Sequence, residues 1–343
     1  MNQLWLYSVR AYIRIGMFFY FRRIKLYNVE NIPKNKPVLI LANHQNALLD
    51  ALLIATQSGR YSYFLTRAAV FNKPLISKLL KSLRMLPVYR IRDGWNTISN
   101  NTAIFEKCIA LLQNKQAVVI FPEGNHNLER RVRPFSKGFT RIVLGALETY
   151  PEMDLQLIPV GLNYQQAINY PDTVALYFGK PISAQTFVSQ NSNEAVINLK
   201  KRMFSEITKL TTNIPQKSYS DTLETLDVLE VDYLNPELVN NCIANNFVNC
   251  HQKPKSKIIG LKRFLKGLMI LNVLLPYLIW KFSIQPKIKE LEFMSTFRFA
   301  VALTLVPLYL LILVFVLIIL CSLKLALIYL LSVLLLTVLA VKL

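Results

Sequence analysis

Six short runs of apolar residues, PVLILAN, YFLTRA, LPVYRI, AVVIFPE, LQLIPVGLNY and TVALYFGK, punctuate residues 29–182. Each is rich in β-branched or aromatic side chains and predicts a strand. Between them, over 68–84, 96–114 and 136–150, apolar residues return every three or four positions and predict helices. Apolar strand runs alternating with helices predict an α/β fold with a mostly parallel sheet flanked by helices. In such sheets ligands gather at the carboxyl ends of the strands.

The flanks differ in pattern. Residues 1–25 space apolar and aromatic side chains around Arg10 and Arg14 and end in Arg22 and Arg23. This suits either a helix lying in the lipid headgroup zone or one packed on the domain. The α/β domain is then expected over 26–183, and a polar, helical extension and linker over 184–252. The rest, 253–343, is an all-α membrane region. It opens with six cations and no acid over 253–266. A segment at 267–280, interrupted by Pro276 and too short to cross a bilayer, reads as re-entrant or interfacial. Two uncharged runs within 299–341, parted by Lys324, predict a transmembrane hairpin with Lys324 at its far turn and Lys342 back on the near side.

Composition sharpens this. The 343 residues hold 40 Lys and Arg against 20 Asp and Glu, a net charge of +20, yet 53% are hydrophobic. A basic surface attracts nucleic acid or anionic lipid, and the apolar excess favours lipid. No nucleic-acid module accompanies the cations. Cys108, Cys242, Cys250 and Cys321 show neither zinc-ligand nor disulfide-framework spacing, and are expected to be reduced and mostly buried. No secretory signal opens the chain, and positive-inside bias places the domain on the cytoplasmic face of the membrane.

Three strand ends carry chemistry. His44 follows PVLILAN and precedes a helical run with Asp50 about one turn in. A carboxylate there can take the proton of one imidazole nitrogen and leave the other as a base. By itself the pair more readily reads as a structural hydrogen bond. A second turn, FPEGNHN, holds Glu123, Gly124 and His126, followed by Arg130, Arg131, Arg133 and Lys137; its glycine permits close backbone approach and its cations could neutralise phosphate. The third, LPVYRIRDG, offers Arg90 and Arg92.

Together NHQNALLD, LPVYRIRDG, FPEGNHN and IPVGLNY resemble, in order, the four blocks of the glycerol-3-phosphate and 1-acylglycerol-3-phosphate (lysophosphatidic acid) O-acyltransferase family. That resemblance implies acyl transfer from a thioester of coenzyme A or acyl carrier protein, a co-substrate, to a hydroxyl of a phosphorylated glycerol. It implies His44 as general base and Asp50 as its partner, with Asn43, Arg90, Arg92, Glu123, Gly124, His126 and Pro159 on the substrate side, and no cofactor or metal. Five residues separate His44 from Asp50 where the commonest form has four, and the four-residue slot is Leu49. One more residue inside a helix would swing the carboxylate by about 100°, so the turn ahead of the helix has to absorb it. The five-residue form resembles the fungal-type branch acting on glycerol 3-phosphate or dihydroxyacetone phosphate. The expected partners are thus that acceptor, the acyl thioester and membrane lipid, with no nucleic acid. A lysophospholipid acyltransferase is the alternative, and a membrane-anchored basic binding protein is the alternative from another class.

Overall fold

The computed structural model describes residues 3–90, 101–189, 191–254 and 258–343. Its strands are β1 (Arg23–Tyr27), β2 (Val38–Ala42), β3 (Ser62–Arg67), β4 (Met85–Val88), β5 (Ala117–Ile120), β6 (Gln156–Tyr164), β7 (Thr173–Phe178) and β8 (Ile182–Ser183). They form one sheet in the order β1-β7-β6-β2-β5-β3-β4, with β8 on β6. β2 pairs in parallel with β5 and β6, and β3 with β4 and β5; only β6 with β7 and with β8 run antiparallel. The fold is therefore α/β with a mostly parallel sheet.

The helices are α1 (Gln3–Tyr20), α2 (Ala47–Gln57), α3 (Pro74–Ser82), α4 (Asn101–Gln113), α5 (Gly138–Thr149), α6 (Ser192–Lys209), α7 (Tyr219–Val228), α8 (Pro236–Ala244), α9 (Ile259–Asn272), α10 (Leu274–Leu278), α11 (Met294–Leu303), α12 (Leu305–Leu320) and α13 (Leu323–Lys342). Alternation along β2 shows why its run is apolar throughout. Leu39 and Leu41 pack with Cys108, Phe139, Ile142 and Leu199 of α4, α5 and α6, whereas Val38, Ile40 and Ala42 pack with Met17, Leu49, Leu53 and Phe299 of α1, α2 and α11. A strand buried on both faces has no polar side to show.

β1 departs from expectation. The 25/26 division cuts it, because Arg23–Tyr27 pairs with Thr173–Tyr177 at the sheet edge and so continues the domain. α1 answers both readings of its pattern at once: Leu6, Met17 and Tyr20 are buried, while Leu4, Trp5, Tyr7, Ile15 and Phe18 are exposed.

The cysteines also correct the sequence reading. Cys242 and Cys250 form a disulfide, their Cα atoms 5.0 Å apart. Left-handed residues Asn246, Phe247 and Asn249 reverse the chain after α8 and bring the two together, which spacing alone does not reveal. Cys321 is exposed at the tip of the apolar hairpin; Cys108 is buried.

Two helical stretches, Leu291–Leu320 and Leu323–Lys342, are long and apolar enough to cross a membrane. Ahead of them Ile259–Asn272 and Leu274–Lys287 meet at 99°. Lys342 returns to the domain and donates to the carbonyl of Phe21 at 2.8 Å.

Candidate active site

β2, β5, β6 and β4 all end at one edge of the sheet, since the first three run parallel and β4 joins them through β3. His44 follows β2. Its Nδ1 lies 2.8 Å from Oδ2 of Asp50, which is fully buried in the first turn of α2. The same oxygen accepts the Asn46 N–H at 2.8 Å, and Oδ1 accepts the Tyr164 hydroxyl at 2.6 Å. Three donors around one carboxylate fix its orientation. Burial first, and then the Asp50 charge, push the Tyr164 phenol well above its ordinary range, so it stays a donor. With Nδ1–H directed at Asp50, Nε2 of His44 is the basic nitrogen. The ring stacks on Phe121, centroids 4.0 Å apart and planes within 16°.

The extra residue between His44 and Asp50 is absorbed where α2 begins. Ala47 takes a left-handed φ of +40°, and Leu49 then points into the apolar layer with Leu53 and Met17. A β-carbon in that region costs roughly 1–2 kcal/mol, which the buried Asp50 contacts offset.

After β5, Phe121 to Asn127 form the second wall. Gly124 sits at φ +78°, a conformation glycine adopts without strain, and its N–H closes the turn on the Phe121 carbonyl at 3.1 Å. Arg133 reaches back to Oε2 of Glu123, to the side chain and carbonyl of Asn125, and to the His44 carbonyl at 3.4 Å. The Asn127 N–H also donates to that carbonyl, at 3.1 Å, so the two turns are tied together. Glu123 is 2% exposed at its side chain, and its Oε1 is buried with no hydrogen-bond partner. Burial, against the opposing pull of Arg133, pushes its carboxyl up to about 7. His126 lies edge-on to His44, centroids 5.6 Å apart. Burial, then the charges of His44 and Arg90, lower it to about 4, and it is neutral at neutral pH.

The remaining expected residues divide. Arg90 follows β4, held by Asn101, which accepts the Tyr89 N–H at 2.9 Å and donates to its carbonyl at 2.8 Å. Its charge is felt at His126. Arg92 lies outside the described residues. Asn43, expected on the substrate side, is instead buried and braced to β6, donating to the Leu162 carbonyl at 3.0 Å and accepting its N–H at 2.7 Å. Pro159 is likewise not a wall of the cleft. It pairs with Leu41 in mid-sheet, five residues before Tyr164 and so on the opposite face.

The basic run after the turn is internal wiring. Arg130 donates to the carbonyls of Tyr164 and Gln165, each at 2.8 Å, and stacks 3.6 Å from the Tyr233 ring centroid. Arg131 pairs with Glu129 at 2.6 Å. Tyr164, Phe121 and Phe293, whose ring meets His126 edge-on at 4.7 Å, are the site residues the sequence reading missed. His126 also lies beside Glu290 and Glu292, the three offering ligand-type atoms within 4.8 Å of one another. Of the three, Glu290 is exposed and the other two are partly buried.

A buried carboxylate, an imidazole it orients and a neighbouring polar turn can remove a proton from a bound hydroxyl. Comparison with known proteins finds similarity over the same part of the chain. Residues 23–163 match the family model described as Acyltransferase. The chain is 28% identical over 120 residues to glycerol-3-phosphate O-acyltransferase 2 of Saccharomyces cerevisiae, covering 34% of this chain and 16% of that protein. It is 27% identical over 136 residues to a 1-acyl-sn-glycerol-3-phosphate acyltransferase of Borreliella burgdorferi, covering 40% and 52%. The crystal structure of a 1-acyl-sn-glycerophosphate acyltransferase from Thermotoga maritima superposes with a TM-score of 0.44 at 20% identity, over 59% of this chain and 79% of that one. The chain thus spans about half or less of the two curated relatives. What these findings establish is a likeness to acyltransferases, carried by residues 23–163.

Proposed function

We propose that the chain is a membrane-bound glycerolipid O-acyltransferase acting by direct general-base catalysis. The observation that carries this reading is the hydrogen-bonded chain Tyr164–Asp50–His44 at the same sheet edge as the Glu123 turn. In this mechanism Nε2 of His44 takes the proton of an acceptor hydroxyl as that oxygen attacks the carbonyl carbon of an acyl thioester. The new C–O bond forms, the C–S bond breaks, and the proton passes from the imidazolium to the departing thiolate. An imidazole with an ordinary pKa of ~6.5 suits proton removal near neutrality. Asp50 fixes the tautomer and stabilises the transient positive charge.

The acceptor is a phosphorylated glycerol. Arg90 supplies positive charge beside His126, and Glu123, its carboxyl pushed up by burial, can donate from its Oε1 in its acid form. The acyl donor is a thioester of coenzyme A or acyl carrier protein. The domain faces the cytoplasm, with the hairpin in the bilayer. A covalent acyl-cysteine has no support from Cys108, whose burial pushes the thiol up to about 12 and keeps it protonated. Glycerol 3-phosphate or dihydroxyacetone phosphate is the preferred acceptor, on the five-residue spacing of the first block. Curated relatives named for the lysolipid reaction support the second reading, 1-acylglycerol 3-phosphate.

The test uses membranes containing the full chain, labelled acyl thioester and each acceptor in turn. His44→Ala is expected to stay in the membrane and lower transfer roughly 10²–10⁴-fold. Undiminished transfer would remove the mechanism. Label appearing only in free fatty acid would make the protein a hydrolase.

A further inference from the structure

Where the domain meets its apolar tail, four cations gather about the turn at residues 168–172, and a fifth, Lys342, reaches Phe21 beside Arg22. Lys266 of α9 donates to the Tyr170 carbonyl at 2.9 Å, Arg298 of α11 to the Ile168 carbonyl at 2.9 Å, and Lys342 of α13 to the Phe21 carbonyl at 2.8 Å. Arg22 follows Phe21, donates its backbone N–H to the Asp172 carbonyl at 2.8 Å, and has its side-chain Nε buried without a partner. Lys262 lies one turn before Lys266 on the same helix. Among the described residues none of the five pairs with a carboxylate. Asp172, on the same turn, directs its carboxylate inward to the N–H groups of Gln166 and Ala167.

Simple snorkelling of juxtamembrane cations does not need this arrangement. A snorkelling lysine hangs free in water, whereas three of these heads are pinned to backbone carbonyls, each with further N–H donors left over. Like charges held together repel. In the basic N-terminal half of α9, outside both spanning stretches, Lys266 is lowered by burial first and then by the charges of Arg298 and Arg22, and Lys262 by burial and then Arg22. An anion between them would relieve that cost.

The depth of the cluster says which anion. From Lys342 back to Leu323 at the hairpin tip is about 29 Å of helix at 1.5 Å per residue, which matches a hydrocarbon core of about 30 Å. The five cations therefore stand in the headgroup layer of one leaflet. The Trp280 ring, 5.3 Å from the Arg298 guanidinium, is the aromatic side chain expected at that level.

We propose that Arg22, Lys262, Lys266, Arg298 and Lys342 form a binding site for the phosphate headgroup of an anionic phospholipid of the surrounding membrane. The site is separate from the His44 cleft and fastens the domain to the leaflet. The proposal rests on the hairpin entering a bilayer and not on acyl transfer, and binding is read directly.

The full chain, purified in neutral detergent, is titrated with phosphatidylglycerol and with phosphatidylcholine of matched chains, and bound lipid is counted by native mass spectrometry. The expected result is a preference for phosphatidylglycerol of about tenfold or more, lost in the variant Lys262→Gln/Lys266→Gln/Arg298→Gln. It is kept in Lys266→Arg/Arg298→Lys, which guards against misfolding, and in Lys180→Gln/Lys201→Gln/Lys217→Gln, which removes as much charge from exposed sites elsewhere. His44→Ala is expected to bind as the unaltered chain does, so loss of acyl transfer and loss of lipid binding are told apart. Equal loss in the distant triple variant, or full retention in the first, would overturn the site. Displacement of the lipid by millimolar inorganic phosphate would reassign it to a soluble anion.

Discussion

Charge is handled in opposite ways at two places on this molecule. In the cleft the groups with fixed roles are partnered within the chain: Asp50 has three donors, Arg133 holds Glu123 and Asn125, and Arg130 grips two carbonyls. At the membrane junction three cations donate to carbonyls and two of those also face aromatic rings, and among the described residues no carboxylate pairs with them. Internal pairing fixes geometry, which a catalytic base requires. Unanswered charge invites a partner from outside the chain. The contrast gives each place its own response to mutation.

The largest effect is expected from Asp50→Asn. An amide can offer Nδ1 a donor where the native carboxylate offers an acceptor, which would reverse the His44 tautomer and put the proton on the nitrogen that must be basic. Acyl transfer should fall roughly 10²–10⁴-fold with little change in acceptor KM. If transfer survives within a few-fold, His44 is not oriented through Asp50, and the cleft loses its claim to chemistry.

Next comes a paired measurement of stability. Arg133→Met leaves Asn125 and the His44 carbonyl without their donor and pushes the Glu123 carboxyl further toward its acid form, and should destabilise the fold by about 1–3 kcal/mol. Arg298→Met at the junction gives up the bond to the Ile168 carbonyl and contacts with Tyr20 and Trp280 but relieves repulsion, and should cost about 1 kcal/mol or less. Thermal midpoints in neutral detergent, with no anionic lipid added, compare them. Equal losses would mean that the junction cations are as tightly built in as those of the cleft.

Tyr164→Phe separates positioning from folding. It strips Asp50 of one donor in a buried setting, at about 1–3 kcal/mol. The remaining carboxylate becomes a stronger acceptor for His44 Nδ1–H, which favours the imidazolium. The acid limb of the kcat–pH profile should move to higher pH, and transfer at neutrality should fall several-fold. A purely structural Tyr164 would lower stability and leave the profile in place.

How much of this was legible beforehand follows from the range of each interaction. The sheet could be read because a strand buried on both faces must be apolar along its whole length, as Val38–Ala42 is. β1 could not, since RIKLY is short, half exposed and fixed at an edge by a strand some 150 residues away. His44 and Asp50 stood out because they are close in sequence. Tyr164 did not, for an aromatic ending an apolar strand looks the same whether its hydroxyl is idle or bound to a carboxylate 114 residues away. The arginines after Glu123 suggested a phosphate site because their carbonyl and carboxylate partners are set only by the fold. Asn43 misled for the same reason, and Pro159 because its face depends on the parity of a register with β2.

The smallest expected effect concerns two groups of the cleft whose links to pH have opposite sign. His126 has its folded pKa depressed from 6.5 to about 4. Its neutral form is favoured on folding, so its contribution is fully present above 6.5 and is lost as pH falls toward about 4. Glu123 has the reverse linkage. Its folded pKa is raised from 4.5 to about 7, so the stability it offers is complete below 4.5 and is lost as pH rises through about 7. Because His126 is only partly buried, solvent screens its share. His126→Gln removes one half of this opposition and leaves the other groups to cancel in the difference. The variant's thermal midpoint should gain on that of the unaltered chain by a few degrees as pH falls from 6.5 to 4, with no pH-dependent difference between 7 and 8. Parallel curves across that window would mean that His126 takes up its proton as readily in the fold as outside it, and the cleft would then hold a charge it leaves unpaired, as the junction does.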